Sequence, residues 1–219
     1  MIIIAIDGPA AAGKGTLAKR LAATLNLPYL DTGLLYRATA KRVLEAGGDP
    51  ADAKTATAAA KALVQADTTR TDLRDATTSK AASQVASIPA VRAALLDFQR
   101  QFGDAHGAVL DGRDIGTIIF PHADVKLFVT ASVEARAKRR QAEFAAKGET
   151  VTLADVIADV AARDEADRTR AAAPLIKAED AILIDTTSMN ADEAFIRAME
   201  EIRNKKASFF AEKLASKNC

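Results

Sequence analysis

Cysteine is nearly missing from this 219-residue chain: the single one is Cys219, which excludes a disulfide framework or a thiolate metal site within one copy. Tryptophan is absent and aromatics make up only 5% of the chain. Two histidines, His106 and His122, are too few for a His-rich zinc centre. Excess charge is also missing. Lys+Arg come to 30 and Asp+Glu to 29, so a net charge of +1 leaves no basic footprint for nucleic acid. No long hydrophobic run occurs either. The apolar stretch 1–6 stops at Asp7, whereas a membrane span needs about 20 apolar residues. The expectation is a cytoplasmic protein with no nucleic-acid and no membrane partner.

What is present is ordinary for a globular α/β chain: 49% apolar and 27% charged residues, with alanine very frequent, which favours helices. The length suits one domain carrying insertions. Short apolar runs at 2–6, 29–31, 108–111, 125–131 and 181–185 read as strands, several without alternation and so buried on both faces. Helical patterns fill 15–25, 34–46, 91–102, 133–147, 153–168 and 191–207. This alternation predicts a parallel sheet covered by helices, with ligands at the strand C-terminal edge. Asp7, Asp31, Asp111 and Asp185 end strands and would lie on that edge. Residues 49–82, rich in Ala and Thr, show no strand pattern and are expected to be a helical insertion over the cleft.

The strongest motif follows the first strand. Gly8-Pro9-Ala10-Ala11-Ala12-Gly13-Lys14 fits the front of the phosphate-binding pattern G-x-x-x-x-G-K, followed by Gly15 and Thr16. Glycines let the backbone wrap a phosphate so that successive N–H groups point inward, and the following helix adds its positive end. Lys14, expected on an exposed loop, would reach the β- and γ-phosphates of ATP, and Thr16 supplies a hydroxyl where the strict pattern has one residue earlier. Asp111, closing an apolar run, is placed like a Walker-B carboxylate that holds Mg²⁺ through water, with Thr16 as the other metal residue. No Asn-Lys-x-Asp base-reading motif of a GTPase is present.

Further segments narrow the reading. Leu30-Asp31-Thr32-Gly33-Leu34-Leu35-Tyr36-Arg37, Ala82-Ser83-Gln84-Val85-Ala86, Asp111-Gly112-Arg113-Asp114-Ile115-Gly116-Thr117 and Arg163-Asp164-Glu165-Ala166-Asp167-Arg168-Thr169-Arg170 occur in order after the phosphate loop. Together these segments resemble the bacterial cytidylate kinase family, over nearly the whole chain. The resemblance implies a P-loop kinase core with a five-stranded parallel sheet flanked by helices. It also implies one domain over 1–219, with a CMP-binding insertion at about 38–107 and a lid at about 145–172. The activity implied is transfer of the γ-phosphoryl of ATP to CMP, and to dCMP, with Mg²⁺, by a monomer. The insertion is shorter than in many relatives, which often carry a small antiparallel sheet there.

By that resemblance Thr32, Tyr36 and Arg37 belong to the CMP site, with Thr32 and Arg37 near its phosphate, and Arg113 binds phosphate. Ser83, Arg92 and Asp114 would read cytosine: a carboxylate accepts from the N4 amino group while Ser and Arg donate to N3 and O2. Arg163, Asp167 and Arg170, at i, i+4 and i+7 of one helix, would clamp phosphates and hold the ribose. Lys14, Arg113, Arg163 and Arg170 are the expected catalytic charge clamp, and no general base is needed. Glycines 112 and 116 are read as keeping backbone clear for ligand. A second basic cluster, Arg136, Arg139 and Arg140, reads equally as an ATP contact or as a solvated face. The residues leave two alternatives open: a related kinase for UMP, AMP or shikimate, or a P-loop nucleotide-binding switch without an acceptor.

Overall fold

The computed structural model describes residues 1–146 and 148–209, so Cys219 and the predicted helix end at 147 lie outside the described residues. Strands β1 (Ile3–Asp7), β2 (Tyr29–Asp31), β3 (Ala108–Gly112), β4 (Val125–Thr130) and β5 (Ile182–Asp185) form one parallel sheet in the order β2-β3-β1-β4-β5. Each expected strand is present, with bounds shifted by a residue or two. β1 is central, and because its side chains alternate, it feeds two cores. Ile4 and Ile6 face α1 (Lys14–Leu25) and α9 (Ala191–Lys205), where Leu17, Leu21, Met199 and Ile202 are buried. Ala5 faces the other way, onto Leu110, Ile115, Ile119 and Phe120.

The chain order places α2 (Thr32–Glu45), α3 (Ala53–Lys61), α4 (Gln65–Thr68), a 3₁₀ turn (Thr71–Arg74), α5 (Ala76–Ala86) and α6 (Pro89–His106) between β2 and β3. The alanine-rich stretch is therefore helical, and Pro89 opens α6, where its missing N–H costs nothing. These helices make their own core from Leu35, Val43, Val85, Val91 and Leu95, with alanines 56, 60, 81 and 82 letting them approach closely. Asp52 and Asp75 cap α3 and α5 by accepting from the N–H groups of Thr55 and Thr78.

After β4 the chain forms α7 (Val133–Ala146) and α8 (Leu153–Thr169), the latter capped by Thr152 as its sequence predicts. Their shared core is small: Ala137, Val156 and Val160 are its buried residues. Arg170 departs from expectation. It stands just past the helix end at φ −59°, ψ 139°, so it leaves the predicted helix face. Among the described residues no helix is long and apolar enough to cross a membrane.

Candidate active site

The phosphate loop joins β1 to α1 at the C-terminal edge of the sheet. Gly8 sits at φ 146° with its Cα so close to β4 that a Cβ would meet the Val129 carbonyl oxygen at 1.9 Å. Ala11 and Gly13 also have positive φ, 58° and 86°, which turns the loop back on itself. Lys14 begins α1 and is buried, not exposed as the sequence suggested. Its ammonium donates to the Pro9 carbonyl at 2.7 Å. Burial, then the Arg113 charge, pushes its pKa down to about 7, against the pull of Asp111, Asp167 and Asp7.

Asp111, next to last in β3, lies beside this lysine. Tyr29 donates to its Oδ1 at 3.0 Å, while Oδ2 lies toward Gly15, whose Cβ would sit 3.7 Å away. Burial, then the Asp31 charge, raises its pKa to about 6. Thr16 is exposed in the first turn of α1 and lines the same cleft. Among the described residues no three His, Cys, Asp or Glu side chains gather as a metal site. One buried carboxylate with an unshared oxygen and one hydroxyl fit a hard cation that keeps most of its waters. Asp7, also buried, accepts from Ile115 and Gly116 N–H at 2.8 and 2.7 Å, and so ties the turn after β3 to the root of the phosphate loop.

Across the cleft, of about 310 Å³, lie the residues from the other motifs. Lys14, Thr16, Thr32, Tyr36, Arg37, Ser83, Arg92, Asp111, Arg113, Asp114, Arg163, Asp167 and Arg170 all line it, with Ala10, Ala11, Gly13 and Gly15 of the loop. Gly8, Pro9 and Ala12 are not on its wall. Thr32 donates to the Asp111 carbonyl at 2.8 Å, and a Cβ on Gly112 would sit 2.6 Å from that hydroxyl. Gly112, itself on the cleft wall, thus leaves room for the Thr32 hydroxyl. Arg92 and Asp114 form a buried ion pair, and the Arg92 guanidinium lies 5.3 Å from the Tyr36 ring centre. Arg37 donates to the Leu73 carbonyl at 3.2 Å and to the Ser79 hydroxyl, which ties it to the insertion.

The arginines toward the lid are arranged differently from simple helix pairs. Arg113 Nε donates to Asp167 Oδ2 at 2.7 Å, and Arg170 lies 3.7 Å from Oδ1. Burial works against the Asp167 carboxylate, but Arg113, then Arg163 and Arg170, outweigh it and hold its pKa below the usual value. Arg163 Nε and Arg170 Nη2 are buried without a hydrogen-bond partner. Unsatisfied guanidinium N–H groups in a cleft are donors left for a ligand. Burial, then Arg113, lowers the Arg163 pKa to about 10.

The basic cluster on α7 divides. Arg140 lines the cleft; Arg139 donates to Thr186 and the Met189 carbonyl; Arg136 is buried and faces the back of the phosphate loop. Neither earlier reading of Arg136 holds. Sequence reasoning passed over Lys19 and Glu143, which line the cleft together with Arg74. Arg74 pairs with Asp31 at 2.6 Å, and the strand-end position of Asp31 was the one available signal for that contact.

Residues 4–204 match the family model described as cytidylate kinase. A curated cytidylate kinase of Acidiphilium cryptum is 65% identical over 199 residues, 91% of this chain and 94% of that protein. One from Paramagnetospirillum magneticum is 57% identical over 208 residues, covering 93% and 99%. One from Granulibacter bethesdensis is 57% identical over 204 residues, covering 93% and 98%. A crystal structure of an uncharacterized protein from Eubacterium ventriosum superposes with a TM-score of 0.55 at 16% identity, over 92% of this chain and 98% of that one, which speaks to the fold alone.

Proposed function

This chain belongs to the cytidylate kinase family and is an ATP-dependent nucleoside monophosphate kinase acting on CMP; we propose how its residues divide that work. The β- and γ-phosphates of ATP lie in the loop Gly8–Thr16, against Lys14. Thr16 and, through water, Asp111 would hold Mg²⁺, which would shield phosphate charge. Arg37, Arg113 and Thr32 receive the CMP phosphate. A CMP phosphate oxygen then attacks the γ-phosphorus in line, and ADP leaves. Lys14, Arg113, Arg163 and Arg170 neutralise charge on the moving phosphoryl group, which supplies most of the rate in this chemistry.

Arg163 and Arg170 carry this reading, because each keeps a buried, unpartnered guanidinium nitrogen in the same cleft as Lys14. Asp167 accepts from the ribose hydroxyls, and loss of the 2′ hydroxyl leaves the 3′ contact, so dCMP is also an acceptor. Arg92 occupies Asp114 Oδ2, which leaves Oδ1 to accept from the cytosine amino group. Tyr36 packs under Arg92, and Ser83 donates from α5. Uracil would turn acceptor toward acceptor and donor toward donor, at about 1–3 kcal/mol for each mismatched group. The chain works as one kinase domain, a cytoplasmic monomer, with the CMP-binding insertion at about 38–107 and the lid at about 145–172. ADP release measured with CMP, dCMP, UMP, AMP and shikimate in turn tests this reading. CMP and dCMP should dominate; equal or higher rates with another acceptor would overturn the base-reading assignment.

A further inference from the structure

Arg136 is a buried cation with no place in the scheme above: its side chain is 3% exposed and is not on the cleft wall. Four of its N–H groups are used. Nε donates to the Ala131 carbonyl at 2.9 Å, at the turn from β4 into α7. Nη1 donates to the Ala10 carbonyl at 3.2 Å and to Asp164 Oδ1 at 2.9 Å, and Nη2 completes a two-pronged pair on Asp164 Oδ2. One guanidinium therefore joins the phosphate loop, the strand end and helix α8.

The Ala10 contact has a geometric consequence. In a trans peptide the C=O and the next N–H point in opposite directions. Holding the Ala10 carbonyl outward directs the Ala11 N–H into the cleft, where Ala10 and Ala11 form part of the wall. Ala11 is in the left-handed region, φ 58°, which a residue with a Cβ disfavours, so that peptide needs an external hold. Arg136 holds the loop from outside the cleft wall. Asp164, the residue after Arg163 and three before Asp167, transmits the same hold to the lid helix.

We propose that Arg136 is a positioning residue that orients the phosphate-loop N–H groups toward ATP and fixes α8 above them through Asp164. The inference rests on the phosphate loop binding ATP, as proposed above. Steady-state kinetics, ADP binding by calorimetry and thermal melts on Arg136→Met, Arg136→Lys, Asp164→Asn and, as control, Lys14→Ala test it. Arg136→Met should lower kcat about 100-fold and weaken ADP binding, with little change in the KM for CMP. Arg136→Lys keeps the charge but not the fork, and should recover only part of that loss. Asp164→Asn keeps the Ala10 contact, so ADP affinity should stay near wild type while kcat falls. If Arg136→Met does not fold, the other two variants decide. Folded Arg136 variants with wild-type kcat and ADP affinity would overturn the proposal, as would a drop in melting temperature alone, or equal increases in the KM for CMP and ATP. Lys14→Ala separates the two failures: normal turnover there removes the phosphate-loop reading itself, whereas a crippled Lys14→Ala beside normal Arg136 variants removes only this one.

Discussion

The two segments that flank the cleft differ in how much apolar core holds them. The insertion has an apolar core, with Leu35, Val43, Val85, Val91 and Leu95 buried between α2, α3, α5 and α6, and carries its ion pairs, such as Arg42–Asp67 and Arg70–Glu45, at the edge of that core. The pair α7 and α8 has only Ala137, Val156 and Val160 fully inside; Arg136 joins it to the phosphate loop by donating to the Ala10 carbonyl, and Asp167 joins it to the turn after β3 through Arg113. Apolar packing has no preferred ligand state, so the insertion should be largely formed without ligand. Ion pairs in a cleft answer to whatever charge enters it, so 153–170 should respond most to bound phosphate.

The largest effect should come where both segments meet the floor. Lys14→Ala should lower kcat by about 100- to 1,000-fold, because the lost charge counts most in the transition state. The fold should stay intact, since burial at this position already works against the ammonium. Thermal melts beside steady-state assays check both halves. Next, Leu95→Ala in the insertion core should destabilise by about 2–5 kcal/mol, as for other buried leucines cut to alanine. Val160→Ala in the lid removes less from a smaller core, and should change the urea midpoint far less. Equal shifts would break the contrast drawn between the segments.

A smaller effect concerns base choice. Asp114→Asn and Arg92→Met should each shrink the CMP/UMP ratio of kcat/KM by about tenfold, the worth of one mispaired buried group. If both variants kept the wild-type ratio, the Arg92–Asp114 pair would be structural.

The smallest is a pH signature of the cleft floor. Lys14 is lowered from 10.5 to about 7, so between those values the unfolded chain holds more protons and stability rises with pH. Asp7 and Asp111 are raised from 3.8 to about 6, so there the folded chain holds more protons and stability falls as pH rises. Melting temperature without nucleotide should therefore show a shallow minimum near pH 6–7, and Asp7→Asn should flatten its acid side. ADP, by restoring charge to Lys14, should take up protons above pH 7, readable by calorimetry in buffers of different ionisation enthalpy.

Much of this was legible in the sequence, for local reasons. Ile-rich β1, the loop Gly8–Thr16, Pro89 at the start of α6 and Thr152 at the start of α8 are each set by neighbours a few residues away. The motif residues also converge as expected on one cleft wall. What stayed hidden depends on partners far along the chain. Arg113 finds Asp167 across 54 residues and Arg136 finds Asp164 across 28. Lys14 is buried among the charges of Asp111, Arg113 and Asp167, which its own segment does not show. Arg170 leaves the helix because the chain turns to bond at Ala173, where its Nε donates to the carbonyl at 2.7 Å.

Hydrogen exchange tests the contrast between the two segments most directly, followed across 53–86 and 153–170 with CMP alone, ADP alone and both together. Exchange should slow in both segments when the two ligands are bound, and the larger change should fall in 153–170, since less apolar core holds it. Unchanged exchange in 153–170 with both ligands bound, or a larger change in 53–86, would contradict the account.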